Sequence, residues 1–195
     1  MSTQTRKERE RAQRHQLIVT TARELAEAEG WDAVTTRRLA DRVEYSQPVL
    51  YSHFPSREAI VREVAVQGFA ELAAELRRAR LAGRSPEEAA AGLASAYLHF
   101  AQTRPALYQA MFDMPTDLPF ASEQTPAPLQ AGFSELTAAL QPLAAGRDTA
   151  TYAEVVWSAL HGLATLNRGQ RLSPDSQQAR LDLLLELLAA PPAHV

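Results

Sequence analysis

Residues 46–56 read SQPVLYSHFPS, and what Pro48 does there decides the fold. In the first turn of a helix the backbone N–H groups have no intrahelical partner, so a proline forfeits no hydrogen bond and its fixed φ suits the start. Pro48 therefore opens a helix, predicted over 47–53, with Ser46 as a residue type that caps it. Two turns do not persist on propensity alone, so Val49, Leu50 and Phe54 must anchor the segment to its neighbours. Gln47, Tyr51, Ser52 and His53 are then displayed outward as donors, acceptors and a phenol.

Upstream, from about Arg9 to Glu29, Leu17, Ile18, Thr21, Leu25 and Ala28 recur at helical spacing, and Gly30 stands where a helix ends. A two-turn helix follows from Thr36 to Val43, with Leu39, Ala40 and Val43 on one face and Thr35 or Thr36 as its cap. Two short helices joined by a tight turn, the second presenting its N-terminal end, make a helix-turn-helix that enters a DNA major groove. The competing reading is a helical corner whose Tyr51 closes the core. A fourth helix opens at Arg57 and Glu58 and runs to about Leu81.

The rest of the chain is also helical in period. Ser85, Pro86, Glu87 and Glu88 form a capping box for a helix to about Thr103, with Ala89, Leu93, Ala96, Tyr97 and Phe100 inward. Arg104 and Pro105 interrupt it, and a short helix continues to about Asp113. Residues 114–128 hold four prolines and read as a loop, after which 129–144 resumes the period. Asp148 caps a helix to about Arg168, with Tyr152, Val155, Val156, Ala159, Leu160 and Leu163 on its stripe. Ser173 and Pro174 start the last helix, where Leu181, Leu184, Leu185 and Leu188 align. Leu183 and Leu187 are left over from that stripe, with Ala159 and Leu166 as possible partners, which points to a symmetric pairing of two copies; the alternative is that both stripes serve one core.

Composition sets bounds on function. The 195 residues are 46% hydrophobic and 22% charged, enough for one large or two small domains with a buried core. There is no cysteine, which excludes disulfides, thiolate metal sites and cysteine nucleophiles. A polar, basic start without a following apolar region, and no apolar run of membrane-spanning length, lead to the expectation of a cytoplasmic protein with no membrane partner. The net charge of -3 hides an asymmetry: residues 1–60 carry 10 Lys+Arg against 9 Asp+Glu, the remainder 10 against 14. Arg6, Lys7, Arg9, Arg11 and Arg14 face only Glu8 and Glu10 in what is expected to be a mobile arm able to follow a phosphate backbone. No cofactor is expected. His15, His53, His99, His161 and His194 show no metal-ligand spacing, and no phosphate loop, nucleophile elbow or carboxylate dyad is present. His99, His161 and Asp113 are the one candidate acid-base set for an enzyme, and a protein-only adaptor is the other competing class.

The run TTRRLADRVEYSQPVLYSHFPSREAI resembles the DNA-binding signature of the TetR family of transcriptional regulators, with Leu39-Ala40, Ser46, Leu50-Tyr51, His53-Phe54 and Ser56-Arg57-Glu58 in register. Where the family has Ala-Gly-Val between the two helices, this chain has Val43-Glu44-Tyr45; the family's glycine position favours φ > 0, so the resemblance implies either strain at Glu44 or a turn of different shape. The resemblance implies an all-α fold: an N-terminal three-helix bundle with the helix-turn-helix over 1–56, then 57–195 as a connecting fourth helix and a helical effector-binding and dimerisation domain. It implies a repressor, or an activator of the same family, that binds a palindromic double-stranded operator as a homodimer and is no enzyme. Gln47, Pro48, Val49 and Ser52 match positions facing base edges, Ser46 caps that helix, and Tyr51, His53, Thr36 and Arg57 match phosphate-contacting positions. Arg37 and Arg38 lie on the preceding helix, within reach of the groove. Residues 96–112 and 155–166 are similar to a C-terminal type named for a Trp…His-Gly signature, here Trp157, His161 and Gly162. That likeness places Trp157 and His161, with Phe100, Tyr108, Met111, Phe112 and Phe133, around a mainly apolar effector; the alternative is that they pack a core.

Overall fold

The computed structural model describes residues 3–189. These form α1 (Thr3–Glu29), α2 (Thr36–Arg42), α3 (Gln47–His53), α4 (Arg57–Ala82), α5 (Pro86–Thr103), α6 (Pro105–Phe112), α7 (Ala127–Leu140), α8 (Thr149–Arg168) and α9 (Gln177–Ala189). Three single 3-10 turns join them at Trp31–Ala33, Gln141–Leu143 and Pro174–Ser176, and there is no strand among the described residues. The fold is all-α. The chain forms two compact units, Met1–Gly68 with Arg104–Pro119, and Phe69–Thr103 with Phe120–Val195.

In the first unit Ile18, Val19, Ala22 and Leu25 of α1, Leu39 of α2, Leu50 of α3, and Ile60 and Val64 of α4 are fully buried together with Leu107 of α6. The side chain of Thr35 caps α2 by accepting from the Arg38 N–H at 3.2 Å. A carboxylate from α1 caps α6 in the same way. Its N-cap residue Arg104 offers no side-chain acceptor, and Glu27 accepts instead from the N–H groups of Ala106 and Leu107 at 3.1 and 3.0 Å. The Trp31 indole N–H donates to the Ala106 carbonyl at 2.8 Å, so the first turn of α6 is held both by the end of α1 and by the 3-10 turn that follows it. Gly68 explains how closely α4 approaches α6: a Cβ there would stand 2.7 Å from the Met111 sulfur and 2.8 Å from a Leu107 methyl.

The second unit packs α5, α7 and α8 on one another, with α9 against α5. Leu93, Tyr97 and Phe100 of α5 meet a core to which α7 gives Leu136 and Leu140, α8 gives Val156 and Leu160, and α9 gives Leu181. Ser85 caps α5 through the Glu88 N–H at 3.2 Å, while the Glu88 carboxylate accepts from the Arg84 N–H, one residue outside the expected box. Asp148 caps α8 by accepting from the Thr151 N–H at 2.8 Å, a bond that holds its carboxyl below the usual range. The Tyr152 hydroxyl donates to the Leu188 carbonyl at 2.7 Å and fastens the end of α9 to α8.

Several expectations are corrected. Helix α1 begins at Thr3, not near Arg9, so the basic arm is helical. No glycine or proline interrupts it, and Arg6 and Glu10 pair across one turn at 2.8 Å. Leu17 and Ala28, expected inward, are exposed, because the buried face is rotated onto Ile18, Val19, Ala22, Leu25 and Ala26. In α5, Ala89 and Ala96 are half-buried, and the core takes Ala90, Ala94 and Leu98. Helix α7 starts at Ala127, since Pro128 is tolerated in its first turn, and it gives way to a 3-10 turn at Gln141. Val155 of α8 is 60% exposed and so leaves the core stripe, while Leu163, Leu184 and Leu185 are half-buried. His194 lies outside the described residues.

The turn between α2 and α3 bears out the expectation of strain. Glu44 has φ 56°, and the Tyr45 N–H closes the end of α2 by donating to the Ala40 carbonyl at 2.9 Å. Replacing Glu44 by glycine removes the Cβ that makes this region unfavourable. Glu44→Gly should raise the urea midpoint, at unchanged m, by about 1 kcal/mol of stability. A lower midpoint would show that the Glu44 side chain makes a compensating interaction.

Candidate nucleic-acid interface

Helix α3 is held from one side only. Leu50 is fully buried and Phe54 nearly so, with the His15 ring of α1 against Phe54 at a centroid distance of 4.4 Å. Val49 is half-buried, and Ser46, Gln47, Pro48, Tyr51 and Ser52 are exposed. Ser46 holds the N-cap position but its side chain makes no capping bond. Pro48 has no N–H to offer, and the Val49 N–H goes to the Ser46 carbonyl at 3.0 Å, which leaves the Ser46 hydroxyl facing solvent. The Ser52 hydroxyl donates back to the Val49 carbonyl at 2.6 Å and keeps acceptor capacity outward.

Tyr51 is 48% exposed, so it does not close the core. Its hydroxyl donates to Thr36 Oγ1 at 3.5 Å, which brings two of the expected phosphate-contacting residues, one from each helix of the motif, to one place. His53, the third, is half-buried; burial, followed by the charges of Arg11, His15 and Arg14, holds its imidazole below the ordinary value of 6.5.

The arginines divide. Arg37 is exposed. Arg38 reaches back to the end of α1, donating to both carboxylate oxygens of Glu29 at 2.8 and 2.9 Å, and that hydrogen bond holds the Glu29 carboxyl below its usual range. Arg42 joins the same carboxylate at 3.9 Å. Arg57 turns inward: its Nε donates to the Val34 carbonyl at 2.8 Å and Nη2 to the Trp31 carbonyl at 2.7 Å. It braces the turn from which α2 starts, a role that its helix-start position alone did not disclose.

The seven residues expected around an effector do not share one unit. Tyr108, Met111 and Phe112 lie on α6 in the first, the Tyr108 and Phe112 rings 4.7 Å apart. Phe100, Phe133, Trp157 and His161 lie in the second, Phe100 fully buried and the other three half-buried. There the Trp157 indole N–H donates to the Tyr97 hydroxyl at 3.0 Å, joining α8 to α5. Tyr97 was read only as a core residue, although its spacing from Phe100, one turn on, puts both on the same face. Among the described residues no group of three or more His, Cys, Asp or Glu is placed to hold a metal, and no helix is long and apolar enough to cross a membrane.

Known proteins match this arrangement in both parts. Residues 18–64 match the family described as bacterial regulatory proteins, tetR family, and residues 90–188 match a tetracyclin repressor-like C-terminal domain. The helix-turn-helix transcriptional regulator Rv0681 of Mycobacterium tuberculosis is 30% identical over 174 residues, covering 88% of this chain and 78% of the relative. A solved structure of a protein of unknown function from Rhodococcus sp. RHA1 superposes with a TM-score of 0.75 at 26% identity, covering 90% of this chain and 95% of that one. RolR, solved with its ligand resorcinol, shares the fold at a TM-score of 0.65 and 16% identity, over 96% of this chain and 98% of its own. These families and relatives are DNA-binding regulators and not enzymes. A helix-turn-helix with its reading face exposed, followed by a C-terminal domain of the matching kind, means that the chain belongs to the TetR family of transcriptional regulators.

Proposed function

We propose that this regulator is a cytoplasmic repressor that grips a palindromic operator as a homodimer and lets go when a small, mainly apolar effector binds. One observation carries the reading: α3 buries Leu50 and Phe54 and leaves Gln47, Pro48, Tyr51 and Ser52 exposed, so its outer face takes no part in the core. Gln47 is suited to pair with an adenine edge, and Pro48 and Val49 to touch a thymine methyl. Tyr51 and Thr36 supply hydroxyls to a phosphate, and Ser46, Arg37 and Ser52 lie beside them. The division of labour falls near residue 56, with DNA contact before it, and effector and partner contact after it.

Two copies are needed to read a palindrome, and an apolar seam is available for the pairing. On α8, Val155, Ala159, Gly162 and Leu166 recur on one face, large at the ends and small between; Val155 is 60% and Leu166 39% exposed. A Cβ on Gly162 would meet nothing within 4 Å in this chain, so its smallness serves no packing here and suits the close approach of another helix. On α9, Leu183 and Leu187 are 55% and 64% exposed, one turn apart. For the effector, the half-buried Trp157, His161 and Phe133 of the second unit, with Phe100 and with Tyr97 to which Trp157 is hydrogen-bonded, are the proposed aromatic, weakly polar lining. The resorcinol bound by RolR is a small aromatic of the kind such a lining accommodates.

Three outcomes are expected. Tyr51→Ala should weaken binding to all duplexes alike and leave the slope of log K against log salt unchanged, because a neutral phenol releases no counterion, with melting unchanged. Arg57→Ala should lower the melting temperature as well, because removing two charged hydrogen bonds to carbonyls costs about 1.5–3 kcal/mol. A drop in stability for Tyr51→Ala, or none for Arg57→Ala, reverses these roles.

Leu183→Glu with Leu187→Glu sets two carboxylates in the proposed seam. Sedimentation should then show monomers, and operator affinity should collapse with α3 intact; an unchanged mass with full binding would place the interface elsewhere. Finally, small neutral aromatics, resorcinol included, should be scanned by thermal shift. A true effector at 100 times its Kd adds about 2.7 kcal/mol and should weaken DNA binding, whereas stabilisation only by phosphorylated or strongly charged compounds would overturn the apolar reading.

A further inference from the structure

Six of the eight residues from Leu181 to Leu188 are leucines, so helix α9 is apolar on more than one side. Asp182 and Glu186, one turn apart, exclude a single face from the core and no more. A helix of this kind can rotate by part of a turn at little cost in buried apolar area, because one set of leucines takes the place of another. In the structure one rotation is selected: Leu181 and Leu188 are buried, while Leu183 and Leu187 are exposed. Hydrophobicity does not make that choice, so a directional bond is needed to fix it.

At the start of α9 the Gln102 amide donates to Gln177 Oε1 at 3.3 Å and Arg180 Nη2 donates to the Ser173 carbonyl at 2.7 Å, both at the surface, where water competes for the same groups. At the other end the bond is buried, with the Tyr152 hydroxyl 2.7 Å from the Leu188 carbonyl. That carbonyl lies in the last turn of the described helix, and four residues on the sequence has Pro192, which has no N–H to offer it. Tyr152 is therefore a cap supplied by another helix. Its own place is fixed, since its N–H donates to the Asp148 carbonyl at 3.0 Å and the Arg147 guanidinium lies over its ring, 5.4 Å from the centroid. The bond also joins the two parts of the exposed apolar surface. Val155, three residues after Tyr152, and Leu187, next to Leu188, are the most exposed large apolar side chains of α8 and α9.

We propose that the Tyr152 hydroxyl is the positioning group of the subunit interface: it fixes the rotation of α9 about its axis and so decides that Leu183 and Leu187 are offered to a second copy of this chain. The inference rests on the pairing proposed above and adds to it the residue that specifies the paired face. Without the hydroxyl the buried Leu188 carbonyl has no donor, and rotations that turn it toward water gain on the observed one. Pairing then requires the presenting rotation in both copies at once, so its population enters twice. A population of about one third in each copy weakens the dimer about tenfold.

The test uses the full chain. Tyr152→Phe keeps the ring and removes only the O–H donor, and sedimentation over a range of concentrations should show its dimer dissociating at about tenfold higher concentration than wild type. Leu129→Val, which trims a buried side chain of α7, is the control for stability alone: it should lower the melting temperature and leave dissociation unchanged. The chain has no cysteine, so Leu188→Cys introduces a single thiol at a position buried in the observed rotation. That thiol should react slowly with iodoacetamide beside Tyr152 and severalfold faster when Tyr152→Phe is added. Unchanged dissociation of Tyr152→Phe, a thiol that stays protected, or an equal weakening by Leu129→Val each overturns the role of Tyr152 while leaving the pairing in place. A wild type that sediments as a monomer throughout overturns the pairing itself, and with it the interface that Tyr152 would serve.

Discussion

A seven-residue helix has no stability of its own in water, because the cost of its first turn is never recovered by so few hydrogen bonds. The reading element of this protein is such a helix, and everything in the first unit is arranged to hold it. Leu50 is fully buried, as are Ile18, Leu39 and Ile60 of the neighbouring helices, and Phe54 closes the lower end against His15. The upper end is set by the turn at Glu44, whose left-handed backbone lets the chain reverse within the few residues between α2 and α3. Burial of two side chains and one strained turn therefore fix which atoms of α3 face outward. Strain in that turn marks where the chain accepts a cost to aim the helix.

The same logic extends backward along a line of hydrogen bonds. Arg57 at the start of α4 holds the Val34 and Trp31 carbonyls; Trp31 holds the Ala106 carbonyl; Glu27 holds the Ala106 and Leu107 N–H groups. The segment just ahead of α2 is thereby tied on one side to α4 and on the other to α6, which is some seventy residues away in sequence. Helix α6 follows α5 directly, across Arg104. Displacing the first turn of α6 must either break these bonds, exposing buried polar groups, or carry the start of α2 with it.

Much of this was legible in the sequence, for identifiable reasons. The bounds of α2 and α3 follow from local rules: a threonine cap, a proline tolerated only in a first turn, and a C-terminal turn that closes at Tyr45. The left-handed Glu44 was legible only through the resemblance, which sets a glycine at that position. What was not legible depends on contacts distant in sequence. Arg57 reads as a basic residue at a helix start, and only the neighbouring carbonyls of residues 31 and 34 show it to be a brace. Arg38 likewise looks outward on a helical wheel and is drawn back by Glu29. Helical period ranks faces but does not choose between adjacent ones, so Leu17 and Val155 were placed inward and are exposed. The effector set was assembled by aromatic character and spans two units because character carries no information about which helix folds against which.

Charge is the last element, and it works locally. A chain of net charge -3 is repelled by DNA at long range, yet binding is decided within a Debye length of about 10 Å, where only nearby groups count. The basic residues of α1 are carried on a rigid helix instead of a loose arm, so their positions relative to α3 are settled before DNA arrives and little ordering entropy is lost on contact. Glu29 meanwhile pairs with both Arg38 and Arg42 and offsets part of their positive charge, so the distribution of ion pairs, more than the total charge, decides where the first unit is locally basic.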